Sequence, residues 1–402
     1  MINENKIKIL FISTSYPRFK GDMAGKFFIP LVEKLNETYC VDVLAPDDIC
    51  VDFDNKTFKP FQYFPVKSWQ KLTYSDGIPE NISQKPLTIF LFPFLLITMI
   101  FKIFAMASNY DVIITNWLLP SGLAGAIVSK LTKKPHILIE HSAGVHYLLK
   151  LPFKKQLFNF IFKYTDKLIF VSPYLQEKLS DLISDKNKVD IIPMGINLDL
   201  FKPAEDINEI KRKYNISLNN KLVLYMGRLV QIKGLELLIK ALSGIENTTL
   251  LIAGDGTNIE NYKNLARVNN VNAIFLGPID DEDKINILNI SDIVVVPSIE
   301  LKNSRTEGTP VVIIEAMAAG KVILASNVGG IPYIIENNKN GLLFNSTNFN
   351  EIREGLKHIF HNEDLYCKLA NEAKISAQKY DINSVSKKYI EIIDKVKQHE
   401  QL

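Results

Sequence analysis

The chain has 402 residues, of which 47% are hydrophobic and 23% charged, with a formal net charge of +3. That length exceeds what a single core serves and predicts two domains of roughly 200 residues, while near charge balance excludes a nucleic-acid partner held by a general basic field. Cys40, Cys50 and Cys367 are scattered and form no CxxC, which excludes a disulfide framework and a zinc cluster and points to a reducing, cytoplasmic setting.

Polar Met1–Lys6 runs directly into Ile7–Ser13, which reads as a first strand rather than a signal peptide. The glycine-bearing loop Ser13–Lys26 follows, before an apolar helix expected near Phe27. Open α/β sheets take ligands at such a strand end. A Walker site is excluded, because three residues rather than four separate Gly21 from Gly25, and Phe27 stands where Ser or Thr is needed. Cys40–Ala45 reads as the second strand. A long irregular loop then runs to Pro86, carrying the DxD pair Asp52 and Asp54, with no strand leading into it to build a metal site. Leu87–Phe101 holds no charge across fifteen residues. It is shorter than the roughly 20 residues that span a bilayer and contains Pro93, so it predicts a buried crossover helix, with a membrane-seated helix as the alternative.

Asp111–Thr115 reads as a buried strand, Pro120–Lys130 as a helix, and His136–Glu140 as a strand that delivers His141 to its end. Such a histidine is either a structural hydrogen-bonder or a catalyst. Between Lys150 and Lys167 five lysines stand against one aspartate, with Leu157, Phe160, Ile161 and Tyr164 on one helical face. This is either a basic amphipathic helix on an anionic membrane or a core helix with a solvated edge. Strands Lys167–Val171 and Val189–Ile192 finish the first domain, and Pro193–Asn197 breaks the pattern as a hinge. The boundaries are then 1–195, 196–380 and a final helix, 381–402, returning to the first domain.

The βα alternation restarts at Leu222–Tyr225, whose following loop holds Gly227, Arg228, Lys233 and Gly234 ahead of a helix from Leu235. Further strands are Thr249–Ala253, Ala273–Leu276, Ile293–Val296 and Val322–Ala325, so two doubly wound α/β domains are expected. Gly254-Asp255-Gly256 lacks the third glycine of a dinucleotide fingerprint. Arg305–Gly320 reads as a tight loop feeding a helix, with Thr309 as N-cap, Pro310 in its first position and Gly320 as its left-handed stop. Glu307 precedes that helix and Glu315 lies in its second turn, while the amides near Gly308 and Thr309 offer an anion site. Two carboxylates around an anion site suit a ligand that is part polyol and part phosphate, such as a nucleotide-sugar.

Glu307 and Glu315 with seven residues between them, Gly227-Arg228 with Lys233-Gly234, and Ile191–Asn197 stand in the order seen in the retaining glycosyltransferases of the GT-B fold, and the chain resembles glycosyltransferase family 4 over nearly its whole length. In that family's interdomain segment Asn usually stands where Met194 does here. The resemblance implies two Rossmann-like domains facing each other across a cleft, with the acceptor on the first and the nucleotide-sugar on the second. Arg228 and Lys233 would hold the diphosphate, Glu315 the ribose, and Glu307 the transferred sugar, helped by amides near Gly308 and Thr309. The loops at Gly254 and Gly277 would frame the base, His141 would hydrogen-bond the sugar, and Gly25 would lie in the loop facing the diphosphate. It also implies no metal and no cofactor beyond the donor, and a glycan or lipid-linked glycan acceptor in cell-surface polysaccharide or glycolipid synthesis. For such an acceptor the apolar Leu87–Phe101 and the lysine-bordered Phe153–Tyr164 predict peripheral, salt-sensitive contact of the first domain with the inner membrane face. The rival readings are a catalytically silent nucleotide-sugar-binding scaffold and a nucleotide-sugar epimerase.

Overall fold

A computed structural model of the chain describes residues 6–19, 22, 24–47, 57–74, 77–204, 206–217, 219–302 and 305–399. Two compact units are present, one made of Met1–Gly195 with Ile382–Leu402, the other of Ile196–Asp381. The first contains β1 (Lys8–Ile12), β2 (Cys40–Pro46), β3 (Phe58–Phe61), β4 (Val112–Asn116), β5 (His136–Glu140), β6 (Lys167–Phe170) and β7 (Val189–Ile191), in the order β3-β2-β1-β4-β5-β6-β7. The second contains β8 (Lys221–Met226), β9 (Thr248–Ala253), β10 (Ala273–Gly277), β11 (Ile293–Val296), β12 (Val322–Ser326) and β13 (Leu342–Phe344), in the order β10-β9-β8-β11-β12-β13. The pairing in both sheets is parallel. Each is therefore a doubly wound α/β unit, as expected, with its strand order reversing beside the first strand, between β1 and β4 and between β8 and β11. The central strands β4, β5, β11 and β12 are buried at every residue, so each reads as a short run with an apolar centre, the buried polar side chains Thr115, Asn116, His136, Glu140 and Ser326 standing at the ends of β4, β5 and β12.

Several sequence expectations need correction. The loop expected from the second strand to Pro86 contains the edge strand β3, whose Pro60 hid it, since proline is tolerated in strands at edges. Three-residue β13 was also missed. Pro93 lies in the first turn of the helix Phe92–Met106, where it begins the helix instead of interrupting it. That helix is not buried all round: Leu95, Met99 and Ile103 are fully covered, while Phe94, Ile97, Phe101 and Phe104 are exposed. In the basic helix Lys154–Lys163 the covered residues are Phe158, Ile161 and Phe162, so its apolar face belongs to the core and the lysines form its solvated edge. The last helix, Ile382–His399, closes the first unit. It buries Ile382, Val385, Tyr389 and Ile393, and Asp394 accepts a hydrogen bond from the Tyr39 hydroxyl at 2.7 Å.

Candidate functional site

In the second unit the loops leaving β8, β9, β11 and β12 are locked together by glycine. A Cβ on Gly254 would fall on the Gly227 carbonyl, one on Gly234 on the Pro297 carbonyl, and one on Gly329 on the Glu307 carbonyl. All three have positive φ, which a side chain would also strain. Backbone bonds continue the lock: Gly227 N–H donates to Ala253 O at 2.9 Å, Gly254 N–H to Gly277 O at 2.7 Å, and Gly330 N–H to Glu307 O at 3.1 Å. The expected donor-binding segments around Arg228, Lys233, Gly254, Gly277 and Glu307 thus converge at the carboxyl ends of the strands, beside the β8/β11 reversal.

Two ion pairs dominate this end of the sheet. The Lys233 stem passes within 3.9 Å of where a Gly227 Cβ would stand, and its ammonium lies 3.0 Å from Glu307 Oε1, both side chains mostly buried. Glu315 is held at 2.7 Å by Lys284, a residue the sequence reading did not single out. Burial disfavours the Lys284 ammonium, but Glu315 and Asp281 outweigh it and hold its pKa above the ordinary value. No sequence signal links Lys284 to Glu315 across 31 positions. The adjacent Gly329-Gly330 pair after β12, by contrast, is legible in the sequence as the mark of a tight loop. Arg228 is exposed, and its carbonyl accepts from the buried Tyr225 hydroxyl at 2.9 Å.

The helix after Glu307 runs Val311–Ala318, with Pro310 at the N-cap and no capping side chain. The sequence had put Thr309 at the cap and Pro310 inside. Pro310 has an extended ψ of 110°, so its ring shapes the entry to the helix and the first turn begins one residue later. Gly320 is the left-handed stop, with φ of 64°. Gly308, buried, and Thr309 form the approach to that N-terminus. Buried hydroxyls of Ser298, Thr306 and Ser326 have no hydrogen-bond partner among the described residues.

In the first unit His141 follows β5, and its imidazole is sandwiched among Phe27, Phe28 and Trp117 with ring centroids 5.2–5.6 Å away. Asn116 orients it. Because Asn116 Nδ2 donates to Ile12 O at 2.9 Å, its Oδ1 must accept at 2.9 Å from His141 Nε2, which leaves Nδ1 an acceptor. Burial pushes the imidazole pKa down to about 3, so the ring is neutral. Beneath it the fully buried Glu140 carboxylate accepts from the amides of Leu118 at 2.6 Å and Ser142 at 2.9 Å. Gly144 leaves room for it, since a Cβ there would come within 2.5 Å of Oε2. Gly25 has φ of 69° and abuts the Ser15 carbonyl, turning the chain into the segment that carries Phe27 and Phe28. Arg18 and Asp22 pair at 2.6 Å within the same loop. Gly21, Asp52 and Asp54 lie outside the described residues. Among the described residues no group of three or more His, Cys, Asp or Glu is arranged to hold a metal ion.

Residues 206–376 match the family "Glycosyl transferases group 1" and residues 41–200 "Glycosyltransferase Family 4". An uncharacterized glycosyltransferase of Methanocaldococcus jannaschii is 30% identical over 297 residues, covering 72% of this chain and 77% of that protein. The chain is a family 4 glycosyltransferase. A further relative, the N,N'-diacetylbacillosaminyl-diphospho-undecaprenol alpha-1,3-N-acetylgalactosaminyltransferase of Campylobacter jejuni, is 28% identical over 69% of this glycosyltransferase and 75% of its own length. Anabaena HepE, solved with UDP, superposes with a TM-score of 0.75 at 19% identity, over 97% of this chain and 100% of that one. Sucrose-phosphate synthase of Thermosynechococcus elongatus does so at 0.78 and 22%, over 97% and 99%. At such identities these likenesses carry the fold, GT-B, and no more.

Proposed function

We propose that this glycosyltransferase moves a sugar from a nucleotide-sugar to a lipid-linked sugar acceptor in cell-surface glycan synthesis, with retention of anomeric configuration, without a metal ion, at the cytoplasmic face of the membrane. The observation that carries the reading is Lys233 held against Glu307 on a glycine-locked loop that also bears Arg228. The UDP bound to Anabaena HepE supports a nucleotide-sugar donor, and the substrate in the name of the Campylobacter relative supports a lipid-linked acceptor.

Arg228 and Lys233 meet the diphosphate, with the amides before Val311 as further donors. Glu315, positioned by Lys284, accepts from the ribose hydroxyls, the loops at Gly254 and Gly277 frame the base, and Glu307 accepts from the transferred sugar. The neutral Nδ1 of His141 accepts from a sugar hydroxyl. In the transfer the bond from the anomeric carbon to the phosphate oxygen breaks, the acceptor oxygen bonds that carbon on the same face, and its proton passes to the departing phosphate. Stabilising the charge on that phosphate is the main catalytic task, and the two cations perform it. Thermal-shift screening with UDP-, GDP- and ADP-sugars tests the donor, since a binder at 100 times its Kd adds roughly 2.7 kcal/mol of stability. Proton NMR of the product reads the anomer. No stabilisation by any of the three, or an inverted product, overturns the reading. Binding with neither transfer nor nucleotide release identifies a silent scaffold, and release of free epimerised sugar an epimerase.

A further inference from the structure

Among the described residues, Pro86–Asn109 is the one segment long and apolar enough to cross a bilayer, yet only 17% of its most apolar stretch is buried. It cannot leave the fold to span one. Leu95, Met99 and Ile103, four residues apart and fully covered, pin the helix lengthwise onto a core that includes Tyr63, Leu72 and Val128. The opposite face repeats at helical spacing too, with Phe94, Ile97, Phe101 and Phe104 between 48% and 68% exposed. The preceding turn adds Leu87 and Phe90, 77% and 70% exposed. This second apolar stripe has no hydrogen-bonding group, whereas a protein interface carries roughly one hydrogen bond per 100–200 Å².

Beside the stripe opens a cavity of about 760 Å³ walled by Trp69, Leu87, Phe90 and Phe94, with Lys71 and Lys85 also lining it. The wall is aromatic: Phe64 stacks on Trp69 at 5.9 Å and meets Phe94 edge-on at 5.0 Å. Of the five lysines across residues 57–74 and 77–109, Lys59 and Lys67 pair with Asp42 and Asp47, which leaves Lys71, Lys85 and Lys102, while Glu80, the acid in those ranges, is buried.

We propose that this face is a monotopic insertion surface: the stripe sinks into one leaflet of a phospholipid bilayer, and the cavity takes one acyl chain whose phosphate lies against Lys71 and Lys85. A face apolar enough for hydrocarbon, fixed along its length and bordered by cations fits a leaflet with anionic headgroups. The inference deepens the membrane placement proposed above and relies on that reading only for which membrane is met. Attachment is hydrophobic, so it outlasts the screening that shortens the Debye length to about 3 Å at 1 M salt.

The full chain is floated with phosphatidylcholine vesicles and with vesicles containing phosphatidylglycerol, at about 0.1 M and about 1 M salt, and Trp fluorescence is read with brominated acyl chains. Binding is expected to persist at high salt. Brominated chains are expected to quench the wild-type signal but not that of Trp69→Phe, which keeps Trp117. Phe90→Ser with Phe101→Ser is expected to lower partitioning at least tenfold while leaving melting temperature and nucleotide-sugar stabilisation unchanged. Absence of flotation, binding abolished by salt, or unquenched Trp69 overturns the proposal. So does a dimer that the double Phe variant converts to monomer without change in vesicle binding. Failure of the donor reading is separate, because it registers only as absent nucleotide-sugar stabilisation.

Discussion

In the proposed site Lys233 and Arg228 hold the diphosphate through charge-assisted hydrogen bonds, each worth roughly 1.5–3 kcal/mol. Changing either to Ala is expected to lower kcat/KM at least tenfold with melting temperature nearly unchanged for Arg228, which is exposed. Unchanged transfer in a folded variant would remove that residue from the diphosphate site. Glu140 makes a prediction of a different kind. Burial outweighs the amides of Leu118, Ser142, Val145 and Gly144 and pushes its pKa up from 4.5 to about 7. The folded chain then holds a proton on this group that the unfolded chain has released, so its contribution to stability is present below 4.5 and is lost as pH rises to about 7. Glu140→Gln removes that slope. In urea titrations, the stability of wild type minus that of the variant is expected to shrink between pH 4.5 and about 7; a constant difference means the carboxylate ionises normally in its amide cradle. His136, fully buried and pushed down to about 4, acts with the opposite sign in both proteins and cancels in the comparison.

Glycine at a strand end marks either a collision or merely a left-handed turn, and the two are separable. Gly234 and Gly277 have nearly equal φ, 67° and 70°, but an added Cβ meets the Pro297 carbonyl at the first and nothing within 4 Å at the second. Gly277→Ala is therefore expected to cost only the left-handed penalty, about 1–2 kcal/mol. Gly234→Ala must also push the β8 and β11 loops apart and is expected to lose clearly more, with transfer activity lost alongside; equal urea midpoints for the two would show that the loops yield freely. These elements also show what the sequence makes legible. Central strands such as β5 and β11, buried on both faces, are readable to the residue, because an apolar centre between flanking breakers defines them. So is the Glu307 to Glu315 spacing, which the local loop and helix dictate. What escaped depends on distant neighbours: Lys284 meeting Glu315, Asn116 choosing the His141 tautomer, and the half-covered helix Phe92–Met106, whose two apolar faces look alike in the sequence while only one finds a partner.

For the whole molecule, activity is expected to persist in excess EDTA, because Arg228, Lys233 and a helix N-terminus neutralise phosphate in the proposed site. Loss of turnover on chelation, restored by manganese, would turn attention to Asp52 and Asp54. The first unit takes its last helix, Ile382–His399, from the far end of the chain, after the whole of Ile196–Asp381. On the ribosome, at roughly 5–20 residues per second, that element follows Gly195 by roughly 10–40 s. Until then Tyr39 lacks Asp394, and the groove that will receive Tyr389 and Ile393 faces solvent. The second unit, contiguous in sequence, has all its strands before that helix is made, so it can close while the first unit still waits for its last element.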